Sequence, residues 1–265
     1  MDFVYPNHTK AVSITGSSCS LSCSHCKGHY LKHMEDLWGP SHGSRGNITS
    51  YLISGGCDNE GAVPLAKHLK EIKELSENYK VIAHTGLINK DDIESIFPYL
   101  DAASFNMIGD DLTISEIYNL DKSASDFIRC YDNLKKKVKT FPHITIGLHK
   151  GDILGEYDAI DLLAKQGCKA LVFNVIIPTL GTEFHKVKPP SPDNVIEVTT
   201  YARQRMKATK IIIGCMRPGG KYREKLDEML VEMGIDRIVM PGPSARKKAI
   251  SDELKIEERW ECCIL

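Results

Sequence analysis

Eight short apolar, β-branched runs recur along the chain: Ala11–Thr15, Tyr51–Ser54, Lys80–His84, Ala103–Ile108, His143–Leu148, Ala170–Ile177, Lys210–Ile213 and Arg237–Met240. Helical patterns lie between most of them, over Pro64–Tyr79, Ser125–Thr140, Glu156–Gln166, Asp193–Met206 and Tyr222–Met233. Strands that read as buried on both faces and alternate with helices belong to a parallel sheet. Eight such units in 265 residues match the count and size of a TIM-type barrel. The expected fold is therefore α/β, a single (β/α)8 barrel, complete or nearly complete. No Pro/Gly/Ser-rich linker divides it. The barrel should span residues 1–253, with a loop at Gly39–Asn47 after a first helix. Residues 254–265 form a cysteine-containing tail, which extended at about 3.3 Å per residue is long enough to return to the active-site mouth.

A barrel of this kind carries its chemistry at the C-terminal ends of its strands. The first strand runs into Ser18-Cys19-Ser20-Leu21-Ser22-Cys23-Ser24-His25-Cys26, three cysteines in the order C-x3-C-x2-C. Three thiolates on one loop can hold three irons of a cubane [4Fe–4S] cluster, whereas a closed protein cage takes four. The fourth iron is then open to a ligand. The competing reading is a zinc knuckle completed by His25 or His29, although zinc sites usually come as paired C-x2-C or Cys/His sets.

Other rim residues invite a role. Cys57 and Cys215 follow the second and seventh strands, and Cys262 and Cys263 stand side by side in the tail. An adjacent pair so close to a terminus is a poor core element. Cys57, Cys215 and one or both tail cysteines are expected to ligate an auxiliary iron–sulfur cluster; the plainer reading is that they are buried thiols. His84 and His149 end the third and fifth strands and could face a substrate, although a lone histidine is more often structural. Arg217, after the seventh strand, could grip a carboxylate with two parallel hydrogen bonds.

The cysteine spacing, its place after the first strand and the sequence around it resemble the radical S-adenosylmethionine (radical SAM) superfamily. The resemblance implies that the open iron chelates the amine and carboxylate of S-adenosyl-L-methionine, whose reductive cleavage yields a 5′-deoxyadenosyl radical. It also implies cofactor contacts. Ser54-Gly55-Gly56 is similar to the family's glycine-rich segment for the methionine amine, although Cys57 stands where a glutamate is common. His25 matches a position beside the adenine. Asn106 and Asp110 match positions that hold the ribose, Asp110 reading equally well as a helix N-cap. Gly147 and Gly181 lie in segments similar to those around the adenine in biotin-synthase-like enzymes.

Ser54-Gly55-Gly56-Cys57-Asp58, His84-Thr85-Gly86-Leu87, Val172 through Thr182, Gly214 through Pro218 and Glu261-Cys262-Cys263 together resemble a compact biotin-synthase-like group. That group supplies the subunits of the two-component lipoyl synthase. The narrower resemblance implies sulfur insertion into an octanoyl chain on a carrier protein or domain, with the auxiliary [4Fe–4S] cluster as sulfur donor. A second radical SAM subunit and a low-potential electron donor would be partners. Two alternatives stay open at this point. One is a radical SAM enzyme of another type, for cofactor maturation or carbon-skeleton chemistry, with a single catalytic cluster. The other is a non-catalytic iron–sulfur protein for electron transfer or regulation.

Composition narrows the field. The formal net charge is −1 and no run of five or six basic residues occurs, so nucleic acid is not an expected partner. No apolar run reaches the roughly 18–20 residues of a membrane span, and the N-terminal residues lack a signal peptide's apolar core. Nine cysteines without an export signal point to a reducing cytoplasm and to metal or catalytic use.

Overall fold

The computed structural model describes residues 1–37 and 47–265. Most of the loop expected at Gly39–Asn47 lies outside the described residues. Eleven strands form one all-parallel sheet: β1 (Asp2–Val4), β2 (Thr9–Ser13), β3 (Glu35–Asp36), β4 (Ser50–Ser54), β5 (Lys80–His84), β6 (Ala102–Asn106), β7 (Thr140–Ile146), β8 (Ala170–Val175), β9 (Lys210–Ile213), β10 (Arg237–Val239) and β11 (Glu257–Arg259). All eight expected runs are strands. Their order is β11-β1-β10-β9-β8-β7-β6-β5-β4-β2-β3.

The helices are α1 (Leu69–Ser76), α2 (Lys90–Ile96), α3 (Asp111–Tyr118), α4 (Ala124–Lys135), α5 (Glu156–Lys165), α6 (Pro192–Arg205), α7 (Gly220–Met233) and α8 (Pro243–Ser251). After β2 the described residues hold only a short 3-10 turn, His29–His33, in place of a full first helix. Among the described residues no helix is long and apolar enough to cross a membrane.

Strand alternation sorts the core into two layers. Phe3, Val12, Ile53, Val81, Ala83, Ala103, Phe105, Ile144, Leu171, Phe173, Ile213 and Ile238 face the helices and make the larger core. Val4, Ile82, Ala102, Phe141, Val172, Ile212 and Val239 face inward and make a second core in the lumen of the curled sheet. Cys263 and Ile264 belong to that inner core.

The expected complete or nearly complete barrel is realised as a curled, all-parallel sheet that resembles a half-barrel. The ladder of hydrogen-bonded strands is open, ending at β11 and β3. The tail bridges the seam at one end: His8 N–H donates to Trp260 O (2.8 Å), Cys262 N–H to Thr9 Oγ1 (2.7 Å) and Thr49 Oγ1–H to Glu261 Oε1 (2.7 Å). Lys80 Nζ pairs with Glu261 at 2.7 Å. These partners lie at or just before the starts of β2, β4 and β5, so the tail forms the floor of the lumen. This differs from the expected return to the mouth. The reason is the packing of Ile264 and Cys263 among the lumen side chains, fixed by the buried Arg237 guanidinium on Cys263 O.

Candidate functional site

The loop after β2 is shaped by its own backbone. Cys26 and Lys27 N–H both donate to Cys23 O (3.0 and 2.9 Å), and His29 N–H donates to Cys26 O (2.8 Å). Ser22, Lys27 and Gly28 take positive φ, which lets the chain coil tightly. Cys23 is buried, and Cys19 and Cys26 are half-buried.

Because β4 pairs with β2, Ser13 opposite Ser54, the loop leaving β4 lands on the cysteine loop. Gly56 N–H donates to Thr15 Oγ1 (2.7 Å), and Ser20 N–H donates to Cys57 O (2.8 Å). A Cβ on Gly56 would lie 1.9 Å from Ser18 O and 2.5 Å from Cys19 Cα. Only glycine fits there, and the close approach is what a ligand-binding backbone segment needs.

Four thiols therefore share one neighbourhood. Burial raises the Cys23 thiol, and the charges of Cys19, Cys26 and Cys57 raise it further. Burial pushes Cys57 up to about 12, with Cys19, Asp58 and Cys26 adding to it. Burial also raises Cys26. Like-charged thiolates crowded in a partly desolvated place are unfavourable unless a cationic centre sits among them, so this donor set fits an iron–sulfur cluster. Among the described residues no three His, Cys, Asp or Glu side chains are arranged to hold a single metal ion. The zinc alternative thus has no closed ligand set here; a cubane held at its corners asks for wider spacing.

The rest of the mouth is knit to this loop. Tyr30 Oη and Thr179 Oγ1 are hydrogen-bonded at 3.2 Å, and Lys27 pairs with Glu183 at 3.1 Å, joining the cysteine loop to the segment after β8. Gly181, in that segment, has φ +82° and open space around it. Asn106 is exposed at the end of β6. These two stand free to meet a ligand.

Other candidates are already engaged. The His25 ring packs on Tyr118 (5.2 Å between centroids) and Phe184 (6.0 Å); burial lowers its pKa to about 4 and Nδ1 has no partner. Any adenine contact at this position falls to its backbone. Asp110 is the N-cap of α3, accepting from Thr113 N–H at 2.7 Å, so the cap reading prevails over the ribose reading. Gly147 N–H donates to the buried Glu156 (2.7 Å), and a Cβ there would strike Pro190 at 2.4 Å, so packing requires its glycine.

Arg217 is the clearest correction. It is fully buried, and Nε and Nη2 each donate to Asp227 at 2.8 Å. Nη1 donates to Gly214 O (2.6 Å) and Val239 O (2.8 Å), and Nη2 also reaches Met240 O (3.2 Å). No donor is left for a substrate carboxylate; the guanidinium ties β9, β10 and α7 together. His149 Nδ1 meets Thr113 Oγ1 at 3.2 Å, and its ring edges Glu116 at the surface.

His84 faces the lumen with Ser54 Oγ 3.3 Å from its Nδ1. Sequence reading missed its counterpart. His143 faces the lumen from β7, its Nδ1 3.0 Å from both Ser104 Oγ and Phe141 O. The rings lie 6.3 Å apart. Burial holds both neutral, lowering His84 to about 4 and His143 to about 3, the latter helped by His84. The alternation of Phe141, His143 and Thr145 was the available signal for a shared face.

The second thiol set divides differently from expectation. Cys57 sits with the cysteine loop. Cys215 follows β9, and its thiol is raised by desolvation and by the charge of Cys262. The adjacent Cys262 and Cys263 thiols act on each other, lowering Cys262 and raising Cys263, the latter also raised by burial and by the charge of Cys215. Cys215 thus follows the end of β9, whereas Cys262 and Cys263 belong to the tail that docks at the strand starts.

No family model matches the chain, and no curated protein does. Solved structures do resemble it. The FeFe-hydrogenase maturase HydG from Carboxydothermus hydrogenoformans aligns with a TM-score of 0.69 and 14% identity, over 96% of this chain and 67% of that one. Methylornithine synthase aligns with a TM-score of 0.51 and 10% identity, over 92% and 86%. Streptococcus suis SuiB bound to S-adenosylmethionine aligns with a TM-score of 0.50 and 13% identity, over 90% and 51%. At these identities the likeness establishes the fold.

Proposed function

We propose that this chain is a radical SAM enzyme. One observation carries the reading: a three-cysteine loop whose partner, Gly56, is pressed so closely against Cys19 that no side chain fits. Cys19, Cys23 and Cys26 would hold a [4Fe–4S] cluster, and the backbone of Ser54-Gly55-Gly56 would meet the methionine end of S-adenosyl-L-methionine. The likeness to SuiB, solved with that molecule bound, supports the same ligand. Bound there, the cluster and S-adenosyl-L-methionine would supply a radical able to take hydrogen from an unactivated C–H bond, chemistry beyond acid and base side chains. The chain's own part is positional. Gly181 and Asn106 leave the mouth open to the adenosine, and the Ser54–His84 and Ser104–His143 pairs line the lumen with neutral, hydrogen-bonded groups that add no charge near a reacting carbon.

The finer reading is sulfur insertion into a protein-bound octanoyl chain, as in a lipoyl synthase subunit. The adjacent tail pair Cys262 and Cys263, which shares an electrostatic influence with Cys215, supports it: the three would hold an auxiliary [4Fe–4S] cluster, the source of the inserted sulfur, with a non-cysteine fourth ligand. Its partners would be an octanoylated carrier, a second radical SAM subunit and a low-potential electron donor, in the cytoplasm. A second reading has its own support. Two of the similar folds are a hydrogenase maturase and methylornithine synthase, which favour cofactor maturation or carbon-skeleton chemistry.

Anaerobic reconstitution with iron and sulfide counting separates the readings. About eight irons supports sulfur insertion and about four the one-cluster enzyme. No 5′-deoxyadenosine from S-adenosyl-L-methionine under reduction would remove both.

A further inference from the structure

We infer that Cys57 is a fourth, exchangeable thiolate for the cluster held by Cys19, Cys23 and Cys26, closing the open iron until S-adenosyl-L-methionine arrives. The inference rests on the proposal that this loop holds such a cluster. Geometry carries it. The Cys57 carbonyl is pinned to the cysteine loop by Ser20 N–H at 2.8 Å and lies 3.9 Å from Cys19 Sγ. The residue before it, Gly56, touches Ser18 and Cys19. The residue after it, Asp58, is locked in a turn, its Oδ1 accepting from Glu60 N–H (3.0 Å) and Ala62 N–H (2.9 Å). Cys57 is thus held rigidly on both sides, half-buried, against the three-cysteine loop.

Its position also explains why a cysteine would sit there. It lies at the edge of the larger core, and its carbonyl is tied to the loop that carries Cys19, Cys23 and Cys26. Ligation forms one iron–sulfur bond and releases the thiol proton. Chelation by the amine and carboxylate of S-adenosyl-L-methionine breaks that bond, and the thiolate takes a proton back. No electron moves in the exchange. The consequence is protection: a cubane with one unligated iron loses that iron readily on oxidation, and a fourth thiolate retains it.

The test compares three-iron cluster formation with and without Cys57. In the full chain with Cys215, Cys262 and Cys263 replaced by alanine, at most one cluster remains. After brief ferricyanide oxidation without S-adenosyl-L-methionine, Cys57→Ala should give a severalfold larger [3Fe–4S] electron paramagnetic resonance signal than its parent. Equal signals overturn the inference and leave the cluster assignment standing. If the parent assembles no four-iron cluster, or if replacing Cys19, Cys23 and Cys26 leaves its iron content unchanged, the cluster assignment fails and the inference falls with it. A second measurement needs no variant. In the wild-type chain, iodoacetamide labelling of Cys57, read by peptide mass spectrometry, should be slower in the iron-loaded than in the iron-free protein. Equal labelling counts against ligation.

Discussion

Cys19, Cys23 and Cys26 share one loop that fixes its own shape, with Cys23 O accepting from two backbone N–H groups and Gly56 wedged behind it. Cys215, Cys262 and Cys263 come from opposite ends of a long stretch of chain. The tail pair is placed by the docking of the tail under the lumen through Lys80–Glu261, Thr9–Cys262 and Arg237–Cys263. The first set is a local property of sequence. The second is a property of the finished fold and is lost when the floor is loosened. That contrast orders what mutation should do.

The largest effect is expected at the local set. Replacing Cys19, Cys23 and Cys26 together by alanine should abolish 5′-deoxyadenosine formation, read by chromatography of the reaction products. The fold should survive, because each replacement removes only a sulfur atom and leaves Leu21 of the same loop in the larger core. Undiminished cleavage in the triple variant would break the comparison at its root.

At the docked set the effect should be selective. Cys262→Ser with Cys263→Ser should lower bound iron by about four per chain. Cleavage of S-adenosyl-L-methionine should persist while thiolation of an octanoyl-lysine peptide, followed by mass spectrometry with the partner subunit present, is lost. Wild-type thiolation would make these cysteines bystanders. Serine is preferred to truncation here, because Ile264 and Cys263 are part of the lumen core and their removal would also destabilise the floor.

Between the two sets stands the Arg217–Asp227 pair, wholly buried and carrying the carbonyls of Gly214, Val239 and Met240. Arg217→Met strands a buried carboxylate, which typically costs about 3–5 kcal/mol. Denaturant unfolding should show a loss of that order, and Arg217→Met with Asp227→Leu should recover part of it. A substrate-binding arginine would instead leave stability nearly unchanged and raise KM.

Much of this was legible beforehand. The eight β-branched runs are the sheet, because a strand buried on both faces has few ways to be written. The cysteine loop was legible because its ligands are close in sequence. Three things were not. β11, Glu257-Glu258-Arg259, has no apolar pattern; it is a strand because it pairs with β1, with Arg259 on Asp2 and Arg246 on Glu258. Cys57 was grouped with the other rim cysteines, since only the pairing of β4 with β2 reveals which loop it meets. Arg217 looked like a rim cation because its partner, Asp227, lies on the inner face of α7. The helix α2 was missed although Asn89 caps it through Asp92 N–H at 2.9 Å, a signal present in the sequence.

The smallest effect expected is a pH dependence from the lumen that lies between the two thiol sets. His84 and His143 are held neutral by burial, at about 4 and about 3, whereas an unfolded histidine titrates near 6.5. Between those values the unfolded chain binds protons that the folded chain refuses. Stability rises with pH wherever the unfolded state binds more protons. Their contribution is therefore complete above about pH 6.5 and is lost as pH falls toward 4. Each histidine adds at most about 1.4 kcal/mol per pH unit to that slope. His143→Gln keeps a hydrogen-bonding side chain opposite Ser104 without the titration. The difference in unfolding free energy between pH 7 and pH 5 should then shrink by an amount on the order of 1–2 kcal/mol. An unchanged difference would mean that His143 reaches water, and that the lumen is not the dry, neutral lining that separates the mouth from the floor.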